Sequence, residues 1–293
     1  MVLKLPPFVY LAPDSLEEAL SLQADHADEA RVLAGGQSLI PLLALRLARP
    51  DYLVDLRRIG GLDGLREEDG TICIGAMTRE LTLERSQLIA ERLPLLHRAL
   101  SFIGHPAIRS RGTMGGSLAH GDPAAELPAV ALALGAELVA QSRDRGRRTI
   151  AAHDFFLGPF TTALEGDEIL AEIRIPSQAV STGSDFQEVA RRLGDFAMVG
   201  VAAVAQVAQG KVRSCRVALT GVADRSLLRT DVELGLTGAP VGSFDDSARR
   251  LAEELNPPED LHGSSAYRRH LVRTLVPRVL ERACQAAAAG SGS

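Results

Sequence analysis

Apolar positions near the amino terminus fall into three short runs, FVYLAP (8–13), ARVLAGG (30–36) and DYLVDL (51–56). Each has the length and β-branched content of a strand. Between them lie DSLEEALSLQADH (14–26) and LIPLLALRLA (39–48), whose apolar positions repeat with helical spacing. Asp14 or Ser15 is placed to cap the first helix, with acidic residues in its first turn where the helix dipole favours them. Pro41 lies in the first turn of the second, where proline is tolerated. Residues 8–56 therefore predict alternating strands and helices, the pattern of a small parallel sheet.

The pattern then changes. GLREEDGTICIGAM (64–77) reads as a hairpin through Asp69-Gly70, because both turn positions tolerate left-handed backbone. LTLERSQLIAERLPLLHRALSFIG (81–104) is helical, and PAAELPAVALALGA (123–136) is an apolar helix stopping at Gly135. AELVAQSRDRGRRTIAAHDFF (136–156) predicts a hairpin with a polar turn, and EILAEIRIP (168–176) a strand ending at Pro176. The polar stretch PSQAVSTGSD (176–185) predicts a domain boundary near residue 180. Beyond it come three strands (185–191, 198–210 and 211–222) and two helices (243–255 and 264–289).

Composition narrows the function class. A formal net charge of −5 argues against a nucleic-acid partner held by a broad basic surface. The three cysteines, Cys73, Cys215 and Cys284, are too scattered for a disulfide framework, an iron–sulfur cluster or a structural zinc, and fit a reducing compartment. The longest apolar region, LPAVALALGAELVA (127–140), is too short to span a bilayer, and no signal peptide is read at the start. A cytoplasmic location is expected.

Two glycine-rich stretches carry the candidate chemistry. In AGGQS (34–38), Gly35 and Gly36 permit close approach of an anion and Ser38 offers a hydroxyl. A tight strand-to-helix turn capped by Ser38 is the plainer alternative. In IRSRGTMGGSLAHGDP (108–123), Thr113, Gly115, Gly116 and Ser117 repeat the theme, so opposed backbone nests would clamp a diphosphate. Arg109 and Arg111 flank this stretch and either serve the anion or balance surface carboxylates. Asp122 or Glu126 is available to accept from a ribose, and Glu126 is equally suited to a helix amino terminus. His120 has no nucleophile beside it and reads as structural. Neither stretch matches the G-x-G-x-x-G or P-loop pattern. RRLGDFAMVG (191–200) is either a loop entering a strand with Phe196 in the core, which the sequence alone favours, or a lip over an aromatic cofactor.

AGGQSLIPLL, IRSRGTMGGSLAHGDPAAELP, EILAEIRIP and RRLGDFAMV, in this order, closely resemble the medium, FAD-binding subunit of bacterial molybdenum hydroxylases. That family includes carbon monoxide dehydrogenase, nicotine dehydrogenase, quinoline 2-oxidoreductase and the flavin region of xanthine dehydrogenase. The resemblance implies an α+β chain with a p-cresol-methylhydroxylase-type FAD domain of two α/β subdomains (about 1–57 and 58–177). A small antiparallel sheet plus helices would follow at 178–288, with a disordered tail at 289–293. It implies that Val32, Leu33, Ala34, Gly35, Gly36, Gln37, Ser38 and Leu39 line one side of FAD, and that Thr113, Met114, Gly115, Gly116 and Ser117 line the other. Ile103 and Leu170 would meet the flavin end and Glu126 the adenosine portion. Gln187 falls where xanthine dehydrogenases carry a lysine beside the flavin.

No catalytic residue and no metal ligand are expected in this chain. The resemblance implies an electron-transfer role, with the molybdenum cofactor on a large partner subunit and two 2Fe-2S clusters on a small one, as a dimer of heterotrimers. Gln37 stands where carbon monoxide dehydrogenase has histidine, and Met114 replaces the usual isoleucine or leucine. With RRLGDFA, the pattern looks most like the enzymes for nitrogen heteroaromatics. A self-sufficient flavin oxidase of the same fold and a module without catalytic role are the alternatives.

Overall fold

The computed structural model describes residues 5–290. The first lobe is β1 (Val9–Leu11), α1 (Leu16–His26), β2 (Ala30–Leu33), α2 (Leu39–Ala44) and β3 (Tyr52–Asp55). The strands form a parallel sheet of order β1-β3-β2. Ser15 provides the cap of α1, its Oγ accepting the Glu18 N–H at 3.1 Å.

The second lobe opens with β4 (Leu65–Glu68) and β5 (Thr71–Gly75), joined through Asp69 at φ 48° and Gly70 at φ 74°. The predicted helical stretch divides into α3 (Glu80–Glu84), α4 (Gln87–Arg92) and α5 (Pro94–Leu100). Ser86 caps α4 and Pro94 opens α5, so local chemistry breaks what the apolar spacing alone would have continued. Two short helices, α6 (Pro106–Arg109) and α7 (Met114–His120), precede α8 (Glu126–Leu134). Then come β6 (Glu137–Ser142), β7 (Gly146–Ala151), α9 (Ala152–Phe155), the small pair β8 (Phe156–Gly158) and β9 (Thr161–Thr162), and β10 (Ile169–Pro176). The main sheet is antiparallel, of order β4-β5-β10-β6-β7.

The third lobe holds β11 (Thr182–Val189), β12 (Val199–Ala208), β13 (Lys211–Thr220) and β14 (Leu227–Leu228) in one antiparallel sheet. It is covered by α10 (Thr230–Leu236), α11 (Asp245–Glu254) and α12 (Ser265–Gly290). Helix α12 runs two residues into the predicted tail; 291–293 lie outside the described residues.

The lobes are not separated by packing. Every residue of α8 is buried, and α8 shares one core with Leu138 and Ile173 of the central sheet and with Phe186, Ala202 and Ala218 of the third lobe. The apolar run at 127–134 is thus a buried helix wedged between two sheets, which explains its lack of a polar face. A smaller core joins Leu20 and Val54 of the first lobe to Ile169 and Ala171 of β10. The three cysteines are free and buried. Burial raises the Cys73 thiol, and pushes Cys215 up to about 12 and Cys284 up to about 11.

Candidate functional site

The carboxyl ends of parallel strands are where open α/β sheets bind ligands. At that end of β2 the chain leaves Leu33, bends through Gly35 and Gly36, and enters α2. Gly36 sits at φ 74°, a left-handed conformation that favours glycine. Gly35 does not; its requirement is space, because a β-carbon there would lie 2.3 Å from the Arg111 carbonyl oxygen. Among the described residues, the N–H groups of Gly36, Gln37 and Ser38 donate to no protein acceptor. A cleft of about 410 Å³ opens at this bend, lined by Leu33, Ala34, Gly35, Gly36, Gln37, Ile40, Pro41, Arg57 and Arg111. Ser38 leaves α2 without a side-chain cap hydrogen bond, so the plainer capping alternative is not what is seen.

The second glycine stretch differs from expectation. It is the amino terminus of α7 rather than an open nest. Thr113 caps it, its Oγ1 accepting the Gly116 N–H at 3.1 Å. The Met114 N–H donates to Thr78 O (3.0 Å), Gly115 to Ala76 O (2.8 Å) and Ser117 to Thr113 O (3.0 Å). These backbone donors are therefore already engaged. Gly115 and Gly116 have ordinary helical backbone, so left-handed freedom is not their purpose. A β-carbon on Gly115 would lie 2.4 Å from the Ala76 β-carbon, and one on Gly116 3.2 Å from that of Ala34. The two glycine stretches are thus brought together, with half-buried Ser117 beside the contact.

Three side chains that sequence reasoning did not single out complete the wall. Asp55, at the end of β3, is buried. It accepts from Tyr10 Oη at 2.5 Å and from Arg57 Nε at 2.9 Å and Nη2 at 2.6 Å. Burial pushes the Asp55 carboxyl up, but the bonds from Arg57 and Tyr10 outweigh it and hold it below its ordinary value. The same pairing raises Arg57 further. Arg79 donates Nη1 to the Arg111 carbonyl. Burial is the main cause that lowers Arg79, and the charges of Arg111 and Arg57 add to it. The useful clue was position: DLRR begins at the carboxyl end of a parallel strand.

Of the other expected residues, Val32 pairs with Val54 in the parallel ladder and Leu39 opens α2. Leu170 lies in the central core opposite Ala140, and half-buried Ile103 packs on that core. The Ile103 carbonyl accepts from Arg109 Nη1 at 2.8 Å, while Arg109 grips Glu84 through Nε (2.8 Å) and Nη2 (2.9 Å). Arg109 is therefore buried and holds the Ile103 loop, rather than balancing the surface. Gln187, on β11, donates to Asp185 at 3.0 Å. His120 tilts against Phe160 with ring centres 5.0 Å apart, and burial lowers it.

Glu126 is buried at the start of α8, where burial, with the Asp122 charge adding, pushes it up to about 7. Burial also pushes Glu80 and Glu188 up to about 8, and in both the Glu126 charge adds to the rise. Among the described residues, neither Glu80 Oε2 nor Glu188 Oε2 has a hydrogen-bond partner. Phe196, expected in the core, is 63% exposed, and its neighbour Leu193 79%. The reason is Gly194 at φ 87°, whose β-carbon position lies 3.0 Å from Gly104 O. The segment folds over the Ile103 loop instead of inward.

What the arrangement provides is a seam between two lobes, with three unspent N–H donors, arginine on its walls and a glycine-to-backbone contact at its base. These features fit the diphosphate of a flavin dinucleotide, which needs donors and positive charge together.

Comparison with known proteins agrees. Residues 6–178 match the FAD binding domain in molybdopterin dehydrogenase, and residues 184–283 the CO dehydrogenase flavoprotein C-terminal domain. The chain is 41% identical to the 6-hydroxypseudooxynicotine dehydrogenase complex subunit alpha of Paenarthrobacter nicotinovorans, over 96% of each chain. It is 40% identical to the carbon monoxide dehydrogenase medium chain of Hydrogenophaga pseudoflava, over 95% of this chain and 97% of that one. Its fold superimposes on quinoline 2-oxidoreductase from Pseudomonas putida 86 with a TM-score of 0.92 at 38% identity, covering 97% and 99% of the two chains.

Proposed function

The chain belongs to the family of FAD-binding medium subunits of molybdenum hydroxylases, and from that premise we propose that it holds FAD in the seam between its first two lobes and serves a complex that oxidises a nitrogen heteroaromatic compound. Residues 1–177 form the FAD-binding part in this reading, and 178–288 the flavoprotein C-terminal part. The observation that carries it is one cleft lined by Gly36 and Gln37, whose N–H groups have no acceptor among the described residues, together with Arg57 and Arg111, with the equally unspent Ser38 N–H next along the chain.

Bound FAD supplies a carrier that takes electrons singly and passes them on, so this chain relays electrons from iron–sulfur clusters to an external acceptor. The chain's own residues bind and orient. Segment 32–39 receives one face of the diphosphate, and Thr113–Ser117 shape the other by close packing, with the Ser117 hydroxyl free to donate. Glu126 lies toward the adenosine portion, Ile103 and Leu170 toward the flavin end, and Gln187 replaces a lysine there. Leu193 and Phe196 overlie the Ile103 loop and keep water from that end.

The large and small partners carry the molybdenum cofactor and the 2Fe-2S clusters, and the assembly is a cytoplasmic dimer of heterotrimers. Among the described residues no helix is long and apolar enough to cross a membrane. The heteroaromatic class is supported by the relatives named for 6-hydroxypseudooxynicotine and quinoline, and by Gln37 standing where carbon monoxide dehydrogenase has histidine.

The test is to purify the chain with whatever partners accompany it, record a flavin spectrum and identify the released cofactor. FAD together with molybdenum and iron in the co-purified complex, and hydroxylation of a heteroaromatic probe such as quinoline, is expected. A chain that takes up no FAD even on reconstitution would overturn the reading.

A further inference from the structure

Arg57, Arg79 and Arg111 meet at the same seam although they lie far apart in sequence. Arg57 and Arg111 line the cleft together with Gly35 and Gly36. Arg79 reaches the Arg111 carbonyl, the same oxygen that excludes a side chain at Gly35. Arg57 is aimed by three contacts to Asp55, and Tyr10 Oη donates to the same Oδ2 that accepts from Arg57 Nη2. This is a bidentate fork on a buried acid, a geometry that fixes a guanidinium in space.

The charges at this wall are not balanced. Asp55 is the buried carboxyl within reach that burial does not neutralise. Glu80, also buried and adjacent to Arg79 and Gly112, is pushed by burial up to about 8 and carries little charge at neutral pH, and Asp63 acts only weakly on Arg79. Arg111 has no ion pair or hydrogen bond from its guanidinium among the described residues. By contrast, Arg66, Arg143, Arg145 and Arg148 elsewhere each hold at least one carboxylate. Burial and the two neighbouring arginines lower Arg79, the direction expected when like charges crowd together.

We propose that Arg57, Arg79 and Arg111 form a charge wall that makes this chain select a flavin with a diphosphate bridge over a flavin without one, with Asp55 and Tyr10 as the residues that position Arg57. Three guanidinium groups against one buried carboxylate leave an excess of positive charge suited to the two negative charges of a diphosphate diester. Riboflavin offers no such charge. The proposal rests on the FAD reading above, and it assigns the selectivity to side chains rather than to the glycine backbone alone.

The test uses the full chain, freed of flavin and titrated separately with FAD, riboflavin and ADP, with intrinsic flavin fluorescence as readout and ADP scored by competition. Arg57→Met and Arg111→Met are each expected to weaken FAD about tenfold or more, the loss of one charge-assisted contact. Riboflavin affinity should stay within about twofold, and ADP should cease to compete in the double variant. Arg57→Lys and Arg111→Lys keep the charge, so they should retain most FAD affinity and the wild-type salt dependence. Equal weakening of FAD and riboflavin, or unchanged FAD affinity in the double Met variant, would overturn the proposal. Lysine variants as defective as the methionine ones would also overturn it, because they would show a structural fork rather than a charge. A wild-type chain that binds riboflavin but not FAD would instead sink the cofactor reading from which the proposal starts.

Discussion

Gly35 and Arg111 touch backbone to backbone: a β-carbon on the first would stand 2.3 Å from the carbonyl oxygen of the second. The contact stitches the first lobe to the second at the base of the seam. Neither partner has a flexible end that can move aside.

Gly35→Ala should therefore cost roughly 1–3 kcal/mol, the usual range for overpacking. It should also open the seam and lower FAD occupancy. Thermal unfolding and flavin content of the purified variant check both. A variant with wild-type melting temperature and full flavin would show that the two segments separate freely.

Thr113 closes the first turn of α7 through the Gly116 N–H. Thr113→Val keeps the shape and removes the acceptor, and should cost about 1 kcal/mol. Thr113→Ser should recover most of it. Denaturant unfolding of the pair decides this, and equal stability of the Val and Ser variants would remove the capping role.

Glu80 is 3% exposed, and burial pushes its carboxyl from an ordinary 4.5 up to about 8. The folded chain thus keeps a proton that the unfolded chain releases, and stability falls as pH rises from about 4.5 to about 8. Glu80→Gln should match wild type at the acid end and gain melting temperature near pH 8. A difference independent of pH would contradict the assignment.

Arg268 is buried on α12 and donates to Met198 O and Gly221 O, while Nη2 meets Asp260 at 2.6 Å. Gly221 in turn donates to Pro123 O, just before α8. Arg268→Met strands two carbonyls and should cost about 3 kcal/mol. Because Met198 ends the loop that carries Phe196, limited trypsin digestion at Arg191 and Arg192 should also speed up. Unchanged cleavage with lowered stability would confine Arg268 to packing.

The strands and most helices were legible because their signals are local. Asp69-Gly70 marks a turn wherever it occurs between β-type runs, and Ser15 caps by reaching three residues ahead. The second glycine stretch reads as an open nest yet forms a helix start, because two glycines look alike in a turn and at a helix start. What separates the cases is the destination of the N–H groups, and Ala76 and Thr78, which receive two of them, are remote in sequence. Phe196 was placed inside on its hydrophobicity, while Gly194 turns its segment outward against Gly104. The arginine wall was beyond local patterns altogether. Arg57, Arg79 and Arg111 converge only because β3, the start of α3 and the approach to α7 end at one seam.

Reduced flavins pass stray electrons to dioxygen, and the peroxide that results attacks the thiolate form of cysteine. In this chain Cys215 and Cys284, held at about 12 and about 11, are thiols throughout the neutral range, and all three sulfurs are out of solvent. The three cysteines of this subunit therefore present no exposed thiolate to that by-product.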